Sequence, residues 1–296
     1  ISKAVMGQLP RGTSYPAPPM HETALAEIIC DRIPGVEQVV FNNSGTEAVM
    51  VAIRAARAHT GRNRVALFEG CYHGSSDSVL VGGSDLPSPT DTVRVSEPGA
   101  DMSGLPSGTT KDAVLIKYND SVAVKEAVIK FGDQLAAIVV EPIMGAGGVI
   151  PAKREFLDTI RKETKKHGIV MICDEVISLR QAVGGAQSYY GVIPDMTTMG
   201  KIIGGGFPIG GVGGLREFMT PLSERGNVAN LGTFSANPIS MSAGVAGMEA
   251  LDEGAIADLN RQGDLLRAGM KSSVQRRKVG ARVSGIGSLF WLHWTE

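Results

Sequence analysis

The stretch Gly168-Ile-Val-Met-Ile-Cys-Asp174 is an apolar run that ends in a carboxylate. A second short run, Asp195-Met-Thr-Thr-Met-Gly-Lys201, ends in an amine. Runs of this length and composition are typical of buried strands in a parallel sheet. Because the carboxyl ends of such strands meet at one edge of the sheet, we expect Asp174 and Lys201 to contribute to the same ligand crevice.

A lysine and an acid placed in this way suit one kind of cofactor, an aldehyde that carries a pyridine ring. The amine of Lys201 would form an imine with the aldehyde, and the carboxylate of Asp174 would keep the ring nitrogen protonated so that the ring can take up electrons. Since aspartate and lysine are common residues, this interpretation depends on what the rest of the chain supplies.

Composition limits the classes of function. The chain has 296 residues and a net charge of −1, which gives no indication of a nucleic-acid or anionic-membrane surface. Its 38 glycines and 43% hydrophobic but only 5% aromatic residues are typical of an α/β enzyme with tight loops. We find no apolar run long enough to cross a bilayer and no signal peptide. The three cysteines are far apart, which favours a reducing cytoplasm over a disulfide framework or a metal site.

Strand-like and helix-like segments alternate, the βαβ pattern of a mostly parallel sheet flanked by helices. Strands are predicted at 39–41, 64–68, 113–118, 135–140 and 168–173. Helices are predicted at 45–60, 121–131 and 153–167, and the chain is mostly helical from 238 to about 277. Residues 82–112 are rich in Gly, Pro, Ser, Thr and Asp, and we expect a long loop there.

The stretch Asn42-Asn-Ser-Gly-Thr-Glu47 follows a predicted strand and opens a predicted helix. Ser44 and Glu47 have the spacing of a capping box, which by itself explains the pattern. The alternative is a phosphate site, because the free N–H groups and the helix dipole at Ser44, Gly45 and Thr46 can hold a dianion.

Four further side chains follow predicted strands. Tyr72 could stack on a flat ring and His73 could line a pocket, although for either residue taken alone the sequence favours a core tyrosine and a loop histidine. Glu141 comes directly after an apolar strand, so it requires either a structural ion pair or a role near the reacting atoms. Asn119 could bind a cofactor or substrate oxygen, or could end a strand as a turn residue.

Glycine-rich stretches do not have the spacing of a dinucleotide fingerprint. Gly204-Gly-Gly-Phe-Pro-Ile-Gly210 and Gly145-Ala-Gly-Gly148 both lack the G-x-G-x-x-G pattern between a strand and a helix. We interpret the glycines after Lys201 as tight turns around a pocket. The stretch Gly232-Thr-Phe-Ser-Ala-Asn-Pro238 is either a proline-initiated helix start or the source of a hydroxyl group for a phosphate.

Taken together, these residues resemble the class III pyridoxal-phosphate aminotransferases of fold type I, and the nearest branch is the glutamate-1-semialdehyde 2,1-aminomutases. The resemblance covers nearly the whole chain, and its motifs occur in family order. They are Asn43–Ala48, Phe68–Gly74, Tyr118–Asp120, Val140–Ile143, Cys173–Val176, Gly184–Gln187, Pro194-Asp195, Gly200–Gly206 and Gly232–Pro238.

The resemblance implies a role for each candidate residue. Lys201 would be the Schiff-base lysine, and Asp174 the partner of the pyridine nitrogen. Val176 and Tyr72 would pack on the two faces of the ring, with His73 lining the pocket. The phosphate would be held by Ser44, Gly45 and Thr46, and by Thr233 from the neighbouring subunit of a homodimer. Asn119 and Glu141 would lie near the ring oxygen and the imine.

The resemblance also implies a domain organisation. Residues 1–240 would form the cofactor-binding large domain, and 241–296 would form linking helices and the start of a small C-terminal domain. Family members are longer, so we expect further residues at both ends. One motif departs from the family: after Asp174-Glu-Val176 the family usually has Thr-Gly-Phe-Arg, whereas this chain has Ile177-Ser-Leu-Arg180.

The resulting hypothesis is a cytoplasmic, homodimeric transaminase. It would move an amino group from an amino acid or amine, including β- or ω-amino compounds, to a keto acid or aldehyde. Three alternatives stay open: a glutamate-1-semialdehyde aminomutase, which needs no external donor or acceptor; a racemase of the same fold; and a cofactor-free structural relative, which intact Lys201 and Asp174 argue against.

Overall fold

The computed structural model describes residues 1–81, 92–95, 104–105, 108, 111–223 and 225–295. Their α-helices are α1 Ser2–Gln8, α2 Met20–Arg32, α3 Gly45–Thr60, α4 Ser121–Phe131, α5 Arg154–His167, α6 Gly185–Tyr190, α7 Arg216–Met219, α8 Pro238–Ala250 and α9 Glu253–Arg277. Their strands are β1 Gln38–Asn42, β2 Arg64–Phe68, β3 Val93–Val95, β4 Ala113–Ile116, β5 Leu135–Val140, β6 Ile143–Met144, β7 Ile150–Pro151, β8 Val170–Asp174, β9 Met196–Gly200, β10 Gly210–Gly214, β11 Ala281–Ile286 and β12 Leu289–Trp294.

A sheet of eight strands forms the centre of the fold, in the order β1-β10-β9-β8-β5-β2-β4-β3. Strands β9, β8, β5, β2 and β4 run parallel to one another. Strand β10 is antiparallel to both of its neighbours, and β3 is antiparallel to β4. The predicted α/β architecture with a mostly parallel central sheet is therefore confirmed.

Apolar layers cover both faces of this sheet. Every residue of β5 is buried, as expected for a central strand between two layers of helices. Helix α3 buries its alanine- and valine-rich face against one side. Helix α5 places Phe156, Leu157 and Ile160 on the opposite face of the sheet, next to β5. This packing fixes the strand ends that bear the candidate residues.

The predicted elements agree closely with the observed ones, with two differences. The strand predicted at 113–118 ends at Ile116, because Asn119 has a left-handed backbone (φ +61°) that cannot continue a strand. The predicted loop at 82–112 contains the short edge strand Val93–Val95, which pairs with β4. The prediction for residues 82–91, 96–103, 106–107 and 109–110 lies outside the described residues.

The last part of the chain consists of the long helix α9 and a hairpin, β11 paired with β12. The hairpin contacts the central part of the chain through Ser284 and His293, whose side chains both bond to the carbonyl oxygen of Gly148. The predicted division near residue 240 stays a proposal. None of the described helices is long and apolar enough to span a bilayer.

Candidate active site

A cavity of about 430 Å³ lies at the carboxyl edge of the parallel strands. Asp174 ends β8, Lys201 follows β9, Glu141 follows β5 and Tyr72 comes four residues after β2. The structure brings these residues together as the strand order predicts. The cavity is lined by Asn43, Gly45, Thr46, Val49, Tyr72, His73, Gly74, Glu141, Asp174, Val176, Ile177, Lys201 and Gly206–Ile209.

The N-terminus of helix α3 forms one wall. Ser44 caps the helix, since Glu47 N donates to Ser44 Oγ at 3.2 Å. The Glu47 carboxylate turns back as in a capping box, but it accepts from the residue before the cap, Asn43 N, at 2.6 Å. These bonds leave the first two N–H groups of the helix, those of Gly45 and Thr46, without an acceptor among the described residues. Both residues line the cavity, so the start of the helix can be capped by Ser44 and bind an anion at the same time.

Two glycines permit close packing around this helix start. A Cβ atom at Gly45 would lie 2.9 Å from a Cγ atom of Val176, so a side chain there would displace the opposite wall. Gly74 has φ +94°, and a Cβ atom on it would lie 2.7 Å from Thr46 Cα. The loop that carries Tyr72 and His73 therefore lies directly against the first turn of α3, which only glycine allows at this φ.

Asp174 is 3% exposed and its carboxylate is held on both oxygens. Oδ2 bonds to His73 Nδ1 at 2.8 Å, and Oδ1 accepts from Val176 N at 3.1 Å. Burial alone would lower the pKa of His73, but the hydrogen bond and charge of Asp174 and the charge of Glu141 outweigh it, and the pKa is raised. His73 therefore keeps its positive charge to a higher pH than an ordinary histidine, next to the Asp174 carboxylate.

Glu141 is a second buried acid in the cavity. Its Oε2 accepts from Tyr72 N at 3.0 Å, and its Oε1 accepts from Gly145 N at 3.1 Å. Burial raises its pKa, His73 opposes this rise and Asp174 adds to it, with a net upward shift. The sequence left open an ion pair or a pocket role for Glu141, and the structure gives it a place in the wall where it orients the Tyr72 loop.

Lys201 begins a short 3₁₀ helix, Lys201–Gly204, directly after β9. Its backbone is left-handed, with φ +46°, a conformation that costs a residue with a side chain about 1–2 kcal/mol. Such strain persists where the surroundings impose it, and it is concentrated at functional sites. The side chain is exposed to the cavity, where an incoming amine or aldehyde can reach it.

The aromatic and apolar lining lies around these charged groups. Tyr72 is half exposed, so its ring is accessible to a flat ligand. Val176 lies beside Gly45 and Gly200, on the wall formed by the end of β9. Phe207 and Ile209 complete the lining after the glycine run.

Three of the predicted residues do not line the cavity. Ser44 is adjacent, but its hydroxyl group caps α3. Asn119 follows β4, one strand further out, and its side chain bonds to Pro151 O and Lys153 N at 3.0 and 2.7 Å. This bonding favours the turn-residue interpretation over a cofactor contact. Thr233 lies in an exposed segment beside a separate depression bounded by residues 14–19 and 226–238.

The sequence did not single out some lining residues. Asn43, Val49 and Ile177 have no chemical signature, because an amide in a turn and two apolar side chains look like ordinary structure. Phe207 and Ile209 could have been found from the prediction that the glycines after Lys201 turn around a pocket. In the described part of the chain, no three His, Cys, Asp or Glu side chains are arranged to hold a metal ion.

Comparisons with known proteins agree with this geometry. The family described as Aminotransferase class-III matches residues 3–295. A glutamate-1-semialdehyde 2,1-aminomutase of Methanosphaera stadtmanae is 41% identical over 294 residues, which are 98% of this chain and 66% of that protein. The chain thus spans about two thirds of the length of the curated relatives it matches.

Solved structures give the same family. An omega-transaminase from Sphaerobacter thermophilus is 42% identical with a TM-score of 0.89, over 100% of this chain and 68% of that one. A structure titled as a transaminase with PLP bound is 34% identical with a TM-score of 0.91, over 98% of this chain and 68% of that one. The predicted resemblance and cofactor are confirmed at the level of the family: the chain belongs to the class III aminotransferases, whose members depend on pyridoxal phosphate.

Proposed function

We propose that this protein is a pyridoxal-phosphate-dependent transaminase that moves an amino group from an amino acid or amine to a keto acid or aldehyde. One observation carries the proposal. Lys201 and Asp174 follow neighbouring strands and line one cavity, and the free N–H groups at the start of α3 line it too. The cavity thus holds an amine for the aldehyde of the cofactor, a carboxylate for its ring nitrogen and an anion site for its phosphate.

The residues present fit the cofactor. The glycine at position 45 leaves the space that a side chain would fill, and the dianionic phosphate would be held by the N–H groups of Gly45 and Thr46. Asp174 would hold the proton of the ring nitrogen, and Val176 and Tyr72 would contact the ring. When bound, pyridoxal phosphate supplies an aldehyde for covalent attachment and an electron-withdrawing ring.

The chain's own residues have separable tasks. Lys201 Nζ would hold the cofactor through its aldehyde and, as a free amine, would move a proton between the substrate carbon and the cofactor carbon. Asp174 is kept in one orientation by His73 and by Val176 N, so its charge is in place before substrate arrives. Glu141, through Tyr72 N, holds the aromatic ring at the cavity mouth.

The absorption spectrum of the purified protein, titrated with α-, β- and ω-amines, tests the proposal. We expect a visible band that an accepted amine removes, and borohydride reduction followed by peptide mapping should label Lys201. The Lys201→Ala variant should bind no cofactor covalently and turn over no substrate. Lys117→Ala is the matched control, since Lys117 follows β4 but lies outside the cavity. Transamination at the wild-type rate by Lys201→Ala would refute the proposal.

A second candidate is a glutamate-1-semialdehyde aminomutase, favoured by the names of the curated relatives at about 40% identity. The reaction returns the amine to a neighbouring carbon of the same molecule. Formation of 5-aminolevulinate from glutamate semialdehyde without any added amino donor or acceptor would favour the aminomutase. Dependence of turnover on an added acceptor would favour the transaminase, and loss of optical activity without transfer would indicate a racemase.

We also propose a homodimer in which Thr233 reaches the phosphate in the neighbouring subunit's site. The exposure of Thr233 and its absence from the lining of its own chain's cavity support this arrangement. A cytoplasmic location is part of the same proposal. It is supported by three cysteines that are all free, as expected in a reducing compartment.

A further inference from the structure

Two polar side chains of the hairpin β11–β12 bond to one backbone carbonyl oxygen, that of Gly148. The Ser284 hydroxyl group donates to Gly148 O. His293 Nε2 lies 3.1 Å from the same oxygen and 2.8 Å from Ser284 Oγ. Since the proton of Ser284 is used on the carbonyl, His293 needs a proton on Nε2 to bond to either oxygen. We call these bonds to Gly148 O the hairpin contact.

The hairpin is held in place by other interactions as well. Ile286 and Leu289 pack against the core cluster that contains Val149. Ser288 N donates to Asn260 Oδ1 of helix α9 at 3.0 Å. The hairpin is therefore anchored independently of the hairpin contact, and removal of one polar side chain should not detach it.

The contacted carbonyl belongs to a strained turn, residues 145–149. Gly148 has φ +108° and Val149 has φ +52°. A positive φ is a true outlier for a β-branched residue, so Val149 keeps this conformation only because its surroundings impose it. A Cβ atom at Gly148 would overlap Cε1 of His293, so the imidazole ring lies directly against the turn. The hairpin contact is thus one of the constraints on the turn.

The other end of the turn supports the cavity. Gly148 N and Val149 N both donate to Gly145 O at 3.1 Å, so the turn is a single hydrogen-bonded unit. Gly145 N donates to Glu141 Oε1, and Glu141 Oε2 accepts from Tyr72 N. Hydrogen bonds and this short turn therefore connect Gly148 O to the loop that carries the Tyr72 ring.

Close packing leaves the turn little room to move by itself. A Cβ atom at Gly147 would lie 2.7 Å from Gly70 O, two residues before Tyr72. A Cβ atom at Gly145 would overlap Cδ1 of Ile177, which lines the cavity. Because close-packed interiors transmit strain, a shift of the turn should reach both parts of the cavity wall.

We propose that Ser284 and His293 are positioning residues for the cavity. By holding Gly148 O they fix the turn 145–149, and through it the Glu141 carboxylate and the Tyr72 loop. The inference rests on the proposed function in one step, the contact between Tyr72 and the cofactor ring. The hairpin, none of whose described residues lines the cavity, then helps to determine the cavity's shape.

Hydrogen exchange of the cofactor-free protein tests this route directly. In His293→Leu, which removes the donor, peptides covering 70–75 and 141–149 should exchange about fivefold or more faster than in the wild type. Peptides of α8 should be unchanged, since α8 packs in a different core cluster. Unchanged exchange at 70–75 would overturn the proposal.

Arg282→Leu is the matched control. Arg282 lies opposite His293 in the hairpin register, and its exposed side chain makes no hydrogen bond with the described residues. The variant should leave the exchange of both peptides within about twofold. Equal acceleration by Arg282→Leu and His293→Leu would indicate general loosening of the hairpin and would contradict a specific contact.

A conservative variant separates the hydrogen bond from the packing of the ring. His293→Gln places an N–H donor at about the reach of Nε2, so exchange should stay within about twofold of the wild type. Ser284→Ala removes the other donor and should accelerate the same two peptides. Exchange in His293→Gln as fast as in His293→Leu would show that the bond to Gly148 O does not hold the turn.

A double-mutant cycle with Glu141→Gln tests the middle of the route. The amide keeps only one acceptor oxygen, so one of the two bonds, from Tyr72 N or from Gly145 N, is lost. In that background His293→Leu should accelerate 70–75 less than in the wild-type background, and should still accelerate 141–149. Effects on 70–75 that add in full would rule out the route through Glu141.

Turnover of the cofactor-loaded protein gives the last readout. His293→Leu should lower kcat about tenfold and change KM for the amine less than about twofold, because misplacement of Glu141 and Tyr72 acts on the reacting groups. An unchanged kcat, or a rise in KM alone, would overturn the proposal. Wild-type protein that binds no pyridoxal phosphate would overturn the proposed function, while exchange in the cofactor-free protein still decides whether the hairpin contact fixes the turn.

Discussion

Glu175 offers a stability prediction with a definite sign. The side chain is completely buried directly after Asp174. One of its oxygens accepts from Gln187 N at 2.5 Å, and the other accepts from Ala186 N at 3.1 Å and from the Ser178 hydroxyl group. Burial nevertheless raises the pKa of Glu175 to about 7, because three hydrogen bonds do not replace full hydration of the carboxylate.

The pH dependence follows from this pKa. Folded Glu175 holds its proton more tightly than the unfolded chain, whose ordinary value is 4.5. Its favourable contribution to folding is therefore complete below pH 4.5 and is lost as the pH rises through about 7. At roughly 1.4 kcal/mol per pH unit, the interval between the two values corresponds to about 3 kcal/mol.

Glu175→Gln removes the titration and keeps the size. Near pH 5 the amide faces backbone donors that it cannot satisfy, and we expect the variant to be less stable than the wild type by about 1–3 kcal/mol. As the pH rises to 8 the wild type loses its advantage, so the difference should shrink by about 3 kcal/mol and approach zero or change sign.

The measurement is the free energy of unfolding from urea denaturation at several pH values from 5 to 8, for both proteins. The difference between the two removes every other titration from the comparison. Glu155→Gln, on the exposed side of α5, controls for the loss of one carboxylate. A wild-type minus variant difference that changes by less than about 1 kcal/mol across the range would refute the reasoning, since the expected change is near 3 kcal/mol.

Three further variants address the site and the fold. Asp174→Ala should still attach the cofactor but lower kcat about 100-fold or more in steady-state assays, because a charge positioned for the transition state is lost; an unchanged kcat would remove Asp174 from its role. Asp195→Ala should cost about 3–5 kcal/mol in urea unfolding, since Arg161 bonds both Asp195 oxygens at 2.8 and 3.1 Å and would be left without its partner; a loss below about 1 kcal/mol would contradict this. Gly74→Ala should weaken cofactor affinity measured by dialysis about tenfold, because its Cβ atom would press on Thr46 at a left-handed φ; Gly61→Ala, also left-handed but in open space, is the control.

Local sequence patterns predicted the helices and strands well where the apolar periodicity agreed with the residues that begin and end each element. Helix α3 begins and ends at the predicted residues because Ser44 caps its start and left-handed Gly61 ends it. The strand at 113–118 was predicted too long, because its ladder ends at Ile116 and the next residues lead into the left-handed turn at Asn119. Strand β3 has only three residues at the edge of the sheet, and a segment that short has too few positions to show a period.

The candidate site was predictable to the extent that it depends on strand ends. Asp174, Lys201 and Glu141 came together because each follows a parallel strand near the middle of the sheet. Asn119 also follows a parallel strand, but β4 lies two places beyond β5 in the sheet and the side chain bonds elsewhere. The sequence indicates which residues leave strands; the order of the strands, which depends on packing between distant segments, decides which of them meet.

The two adjacent acids Asp174 and Glu175 also show that a position after a strand does not by itself decide whether a side chain reaches the cavity. Side chains alternate across an extended backbone, and the backbone stays in the sheet at Glu175, whose N–H donates to Thr198 O at 2.8 Å. Asp174 therefore lines the cavity beside His73, whereas Glu175 bonds to the start of α6 and to Ser178. Because Val176 and Ile177 come next and line the cavity, Glu175 also fixes the wall that the ring would contact. A carboxyl group whose pKa is about 7 is thus built into the support of that wall, and the wall should become more loosely held as Glu175 loses its proton when the pH rises through this value.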